Sequence, residues 1–451
     1  MTESITKPIL EERFLKEILD KEYQIPSYQR PYKWKKEHVV QLLDDLYENI
    51  YLKRESIYRV GSIIVHYSNN VNNIVDGQQR LTTLSLVLLH LKSNEKLLNN
   101  QIYQHAVSKN NIKYNFQAIV DWFIAKSFDK EDHSRFLQKI KESCQFVVIT
   151  VYEQDEAFQL FDSQNSRGKA LYPHDLLKAF HLREMEKNGS NQTTMELYST
   201  KWEDYLLQGD NLLLDILNNH LYRIRKWVKG EKKYYFDTAN LNEFKGISLY
   251  KKNRFNYEVA VRLLDGTIEN AQLNQVLKHF SIAQKFPFQI NMPIINGKNF
   301  FDYIFHYIEL KQLVFTHNQD KKFLNFNQSW KQYYGWWRTG DEKVRNLYEN
   351  ICLLFVDRFG IDSFENIYYQ EFFKNAYQLR LDSKSISVNS ILLFVKAQKF
   401  FHLIPNCYVT EELHSQLFCN YSKAWRDDAF AKGVKPIYDF IINYKVITEN
   451  E

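Results

Sequence analysis

The sequence predicts an α+β protein, with a mixed strand-and-helix N-terminal domain over residues 1–190 followed by a mostly α-helical region over residues 191–451. Three observations carry this. β-Branched runs, YRVGSIIVHY (58–67) and QFVVITVYE (145–153), sit among helix-period segments in the first part. Beyond about residue 190 the apolar residues recur at helical spacing almost throughout. Between the two lies a polar stretch, EKNGSNQTTM (186–195), suited to a domain boundary in a chain of 451 residues, which is too long for one ordinary core.

Taken in order, the start of the chain reads as an amphipathic helix. YQIPSYQRPYKW (23–34) follows, where Pro26 and Pro31 forbid regular helix and favour an extended ribbon. KKEHVVQLLDDLYENIYLK sets Val39, Leu42, Leu43, Leu46 and Ile50 on one helical face. The strand at 58–67 turns through SNNVNN into a second strand ending IVD, and from Gln78 the period becomes helical, with Leu81, Leu84, Leu88 and Leu91 on one stripe. After the strand at 145–153 come a short helix carrying Phe158 and Phe161, a loop SQNSRGKA, and a helix whose first turn tolerates Pro173. Among the later helices, DEKVRNLYENICLLFVDRF (341–359) is stopped by Gly360.

Composition narrows the function classes. No apolar run approaches the ~18 residues of a membrane span, and the first residues lack the basic-then-apolar order of a signal peptide, so a cytoplasmic protein without membrane contact is expected. Cys144, Cys352, Cys407 and Cys419 form no C-x-x-C pair, which argues against zinc and against a disulfide framework. The net charge of +5 is too small to imply nucleic acid. Phe (32) and Tyr (30) are abundant beside Lys and Asn, but A- and T-rich codons alone produce that usage, so aromatic and lysine interleaving is discounted as a nucleic-acid signal.

The most informative junction is IVDGQQRLTTL, a strand, a tight turn and a helix start. A helix N-terminus leaves N–H groups unpaired and carries about half a positive charge, so phosphate is the natural occupant. Arg80 can add a bidentate contact, and Gly77 lets the backbone approach. Asp76 exceeds what an anion cradle needs. A carboxylate beside phosphates points to Mg²⁺ or to an attacking water, which Gln78 or Gln79 can orient. The plainer alternative is a capping Asp76, a turning Gly77 and solvated amides.

Other clusters carry similar pairs of readings. In QRPYKW, Arg30 among Tyr28, Tyr32 and Trp34 either stacks on a base or belongs to a packing ribbon. NSRGKA supplies Asn165, Arg167 and Lys169 as a polar loop or as base and phosphate contacts. HLYRIRKWVKGEKKYY (220–235) offers Arg223, Arg225, Lys226 and Lys229 as a DNA-binding stripe or as a solvated basic face. There is no G-x-x-x-x-G-K-[ST] loop, no H-E-x-x-H, no G-x-S-x-G and no zinc-deaminase pattern.

In order, IPSYQRPYKW with LLDDL, VGSIIV with IVDGQQRLTTL, and FDSQNSRGKALYPHDLLKAF resemble the signature of domain-of-unknown-function family 262 over about residues 10–185. That family is the N-terminal module of GmrSD-type restriction and phage-defence proteins. The resemblance implies a ParB/sulfiredoxin-like fold that binds and hydrolyses a nucleoside triphosphate with DGQQR. By position it makes Asp76, Gln78, Gln79 and Arg80 catalytic, and makes Gln29, Arg30, Gly77, Asn165, Arg167 and Lys178 nucleotide-binding. Many members continue into an HNH-type nuclease, whereas this chain has only the fragment HLIP (402–405), so cleavage would need a partner nuclease from a neighbouring gene. The expectation is therefore a nucleoside triphosphatase subunit using Mg²⁺, with a non-hydrolytic DNA-binding sensor as the alternative and the helical half as a docking surface for the partner.

Overall fold

The computed structural model describes residues 7–26, 29–53, 56–68, 70–103, 105–153, 156, 160, 172–207, 211–250, 256–270, 288–331, 338–413 and 433–443. The chain divides into two compact units, Met1–Ala179 with Gln192–Thr200, and Phe180–Asn191 with Lys201–Glu451.

The first unit is built on a five-stranded mixed sheet of β1 (Ile9–Phe14), β2 (Tyr23–Gln24), β3 (Tyr58–Ser68), β4 (Val71–Asp76) and β5 (Cys144–Val151), in the order β1-β5-β3-β4-β2. β3 and β4 form an antiparallel hairpin whose turn holds Asn70 at φ +62°, a left-handed position that asparagine tolerates. β3 and β5 are parallel and so need a long crossover. α3 (Gln78–His90), α4 (Ala106–Ala125) and α5 (Lys130–Ser143) supply it, after α1 (Leu15–Leu19) and α2 (Lys36–Leu46), whose end runs into a π-helical turn at Tyr47–Leu52.

Strand alternation explains the layers. Ile63, Val65, Ile74, Phe146 and Val148 face one core, where they meet Leu43 and Leu46 of α2, Leu81, Leu84 and Leu88 of α3, and Ile119, Trp122 and Phe123 of α4. Ile64, Val75, Ile149 and Val151 point the other way, with Leu160 packed against them.

The start of the chain departs from the expected amphipathic helix. ILEERF is the edge strand β1, antiparallel to β5 from Ile9↔Thr150 to Phe14↔Gln145, and only Leu15–Leu19 is helical. An isolated helix this short is marginal, while the open edge of β5 offers a full ladder of backbone partners. Glu11, Glu12 and Arg13 then keep the new edge charged.

The second unit is helical. It contains the later part of α6 (Pro173–Lys187) and of α7 (Gln192–Leu207), then α8 (Leu212–Asp215), α9 (Tyr222–Val228), α10 (Asn256–Asn270), α11 (Lys298–Phe315), α12 (Lys321–Lys331), α13 (Thr339–Phe359), α14 (Asn366–Asp382), α15 (Val388–Gln398), α16 (Phe400–Asn406) and α17 (Lys435–Asn443). The α+β class with a helical C-terminal region is thus what the structure shows. α13 is buried on every side through the consecutive run from Asn350 to Val356, as a central helix must be, and Gly360 ends it. His181 is stacked on Phe300 at 3.6 Å between ring centroids, with its ring nitrogens bonded to Phe244 O and the Gly297 N–H. Burial pushes this imidazole well below its usual range, so it is a neutral core residue. Cys144, Cys352 and Cys407 are buried free thiols, and among the described residues no helix is long and apolar enough to cross a membrane.

One partly buried acid makes the second unit sensitive to pH. Asp357 accepts from the Tyr307 hydroxyl at 2.5 Å and from the Ile290 N–H at 2.9 Å, and burial pushes its carboxyl up to about 7. A raised carboxyl pKa favours the fold while the group is protonated. That contribution is complete below about pH 4 and is lost as pH rises through about 7. The melting temperature of Asp357→Asn should therefore gain on that of the unsubstituted chain between those limits and hold a constant lead above them.

Candidate functional site

β4 ends at Asp76, Gly77 turns the chain, and α3 begins at Gln78. Gly77 sits at φ +96°, and a Cβ there would lie 3.2 Å from Ile63 Cγ1 and 3.4 Å from Ser62 O, so only glycine fits without strain. The N-cap residue, Gly77, makes no side-chain cap bond to α3, and no residue of its first turn is acidic.

The two glutamines point at the ribbon rather than at open solvent. Gln79 Oε1 accepts from the backbone N–H groups of Lys33 (2.8 Å) and Trp34 (3.1 Å), while its Nε2 donates to Pro31 O (3.1 Å). Gln78 Nε2 donates to Arg30 O at 3.0 Å, and Gln29 Nε2 donates to Val75 O at 2.9 Å. Prolines and extended geometry deny this ribbon a ladder of its own, so side-chain amides supply its backbone partners.

A second set of bonds seats the same ribbon on α4. Tyr32, 2 % exposed, has its hydroxyl between Thr83 Oγ1 (2.8 Å) and Asn115 Nδ2 (3.0 Å). Burial pushes its phenol up, keeping it a hydrogen-bond donor. The Tyr32 N–H donates to Ser108 Oγ, and Asn111 and Asn115 donate to the carbonyls of Tyr32 and Trp34. None of Tyr32, Ser108, Asn111 and Asn115 was singled out for this clamp by the sequence, because an amide or hydroxyl on a helix reads as solvated until its partner is known.

Arg80 reaches back across the sheet. β3 shifts register against β5 between Arg59 and Gly61, and Gly61 adopts φ +138°. The guanidinium lies over that glycine, donating from Nη1 to Val60 O at 3.2 Å and from Nη2 to Ser62 O at 2.9 Å. A Cβ on Gly61 would fall 1.6 Å from Nη1. The bulge exposes carbonyls and the arginine satisfies them. A glycine inside a β-branched run, VGSIIV, is the sequence signal for such close approach.

Asp76 is the least constrained side chain of the motif. Its carboxylate is 31 % exposed, makes no hydrogen bond among the described residues, and lies 3.9 Å from Arg80 Nη2. Gln78 Oε1 also has no partner among the described residues, while both ends of Gln79 and both terminal nitrogens of Arg80 are engaged. The Arg30 side chain is exposed and has no ion pair among the described residues, and Gln78 holds its backbone beside the start of α3. Mg²⁺ commonly takes one or two carboxylates plus phosphate oxygens, and Asp76 suits that use. Among the described residues no group of three His, Cys, Asp or Glu side chains is arranged to hold a metal by itself.

Lys178 is buried on α6, and Asn165 and Arg167 lie outside the described residues. The supposed DNA stripe is largely internal. Arg223 and Arg225 are each 5 % exposed; Arg223 lies over the Tyr234 ring and bonds Tyr234 O and Asn219, and Arg225 bonds Glu243, Ile290 O and Met292 O. Lys226 pairs with Glu231 and Glu243, and the half-exposed Lys229 pairs with Glu243 at 2.7 Å. A phosphate backbone cannot reach two of these four side chains. The partner that neutralises three of them, Glu243, is remote in sequence.

Residues 12–182 match the GmrSD restriction endonuclease, N-terminal domain. That match supports a GmrSD-type N-terminal module and a component of a restriction or phage-defence system. Residues 194–430 match the family of unknown function DUF7834, more than half of the chain, and the chain belongs to that family. No curated protein matches the chain.

Replacing Gln79 with leucine should strand Pro31 O and the N–H groups of Lys33 and Trp34. The expected cost is about 2 to 4 kcal/mol. Amide hydrogen exchange read peptide by peptide should locate the loss in residues 29–34, and unchanged protection there would contradict the clamp.

Proposed function

We propose that the first unit binds a nucleoside triphosphate at the β4–α3 junction and hydrolyses it, as the ParB-like module of a restriction or phage-defence system. The observation that carries this is the division of labour within DGQQR. Gln79 and Arg80 are committed to backbone groups, whereas the Asp76 carboxylate and the Gln78 carbonyl are not. A motif that served only to cap a helix would have no use for an acid at its mouth whose sole partner among the described residues is an arginine 3.9 Å away.

In this reading the first-turn N–H groups of α3 receive the phosphates, with Gly77 allowing their approach and Arg30 adding charge from the ribbon. Asp76 accepts a proton from the attacking water, and Gln78 Oε1 orients that water for in-line attack on the terminal phosphorus. The bond to the bridging oxygen breaks and the diphosphate leaves. A magnesium ion arriving with the phosphates would neutralise their charge and would take one carboxylate oxygen of Asp76, leaving the other for the water. Gln79 and Arg80 are positioning residues. Turnover, or occupancy alone, gates a nuclease carried by a partner chain from a neighbouring gene, docked on the helical region.

Phosphate release from the purified chain with each of the four nucleoside triphosphates tests the reading. Asp76→Asn should lower the rate at least ~100-fold, the scale of losing a general base, with its melting temperature unchanged. A folded but silent unsubstituted chain, or an Asp76→Asn variant as fast as the unsubstituted chain, would remove the hydrolytic assignment. Retention on DNA at low salt by a chain without turnover would instead favour a non-hydrolytic sensor.

A further inference from the structure

The second unit contains a cavity of about 260 Å³ between the end of α9 with its following turn and the α15–α16 joint. Its floor is apolar, formed by Val228, Leu392 and Val395 against Trp227 and Phe401. That floor is fixed in place, since the Trp227 indole N–H donates to Lys233 O at 2.8 Å and its ring meets Phe401 edge-on at 4.9 Å. The rim carries the cations Lys229, Lys232, Lys396 and Lys399, with His402 beside them.

Most of that charge is unanswered among the described residues. Glu231 is the one acid lining the cavity among the described residues, and Lys226 already pairs with it at 3.1 Å. Lys229 is held by Glu243. Lys232, Lys396 and Lys399 have no ion pair among the described residues, and all three are exposed. Lys399 also occupies the joint between α15 and α16 at φ +54°, a left-handed conformation that glycine adopts freely and lysine does not. Gathering like charges around one cavity and holding one of them in a disfavoured conformation both work against folding.

We propose that this cavity binds a nucleotide, with its base on the aliphatic floor and its phosphate on Lys232, Lys396 and Lys399. A simple inorganic anion would leave the apolar floor unused, and an apolar ligand would leave three cations unused. A nucleotide joins a flat, weakly polar ring to a phosphate and answers both. The volume lies just below the usual range for small-ligand sites, about 300 to 1,000 Å³, so the cavity takes no more than a single nucleotide unit, free or within a single strand. This site lies in a different unit from Asp76 and does not depend on hydrolysis there.

Acetylation footprinting of the intact chain, read by mass spectrometry, tests the assignment with three probes at low salt: a mononucleotide, a short single-stranded oligonucleotide and inorganic phosphate. Protection of Lys232, Lys396 and Lys399 by the mononucleotide identifies a free nucleotide as ligand, and protection by the strand alone identifies a nucleotide unit within a strand. Lys396→Glu, which relieves repulsion and so should not impair folding, should weaken binding of the protecting probe to this cavity about tenfold, the loss of one charge-assisted hydrogen bond. Equal protection by inorganic phosphate, or none by any probe, overturns the proposal. Because the readout is local to these lysines, a silent hydrolysis assay leaves it unaffected.

Discussion

The side-chain amide of Gln79 sets the geometry on which the first unit's candidate site depends. It lies in the first turn of α3 and bonds three backbone groups of the ribbon at 31–34, a segment whose prolines prevent it from joining any sheet or helix. With that bond set in place, Tyr32 enters the core against Thr83 and Asn115, and Arg30 is delivered to the start of the helix. Arg80, one residue further along, does the same for the other wall by satisfying the bulged carbonyls of β3. The two consecutive side chains thus fix, from one helical turn, both strands of chain that border the junction.

This arrangement changes what a polar motif means. DGQQR invites a reading in which every member touches the ligand, yet a site built on a single-turn junction needs rigid walls before it needs reactive groups. Gln79 and Arg80 serve the walls, and Asp76 and Gln78 Oε1 are left without hydrogen bonds among the described residues. Loss of activity on substituting Gln79 or Arg80 would therefore say little about catalysis unless folding were measured beside it.

Legibility in the sequence followed the range of the interaction. The helix at 36–46, the β3–β4 hairpin, β5 and the helix ended by Gly360 were readable because their apolar periods are local. ILEERF was not, since its strand state comes from pairing with β5 more than a hundred residues away. In the site, Asp76, Gly77 and the helix start were readable from residue type and order, but the inward aim of Gln79 was not, because an amide that orients water and one that holds a ribbon have the same sequence. Arg223 and Arg225 failed as a surface stripe for a related reason. Their helix buries them, and their partners Glu243, Ile290 and Met292 come from later segments.

An experimental structure of the chain with a non-hydrolysable nucleoside triphosphate and Mg²⁺ tests the central claim most directly. It should find the terminal phosphate at the first turn of α3 with the Asp76 carboxylate facing it, while Gln79 still bonds Pro31, Lys33 and Trp34 and Arg80 still bonds Val60 and Ser62. A nucleotide contacted instead by Gln79 or Arg80 after release of those backbone groups, or one bound away from the β4–α3 junction, would contradict it.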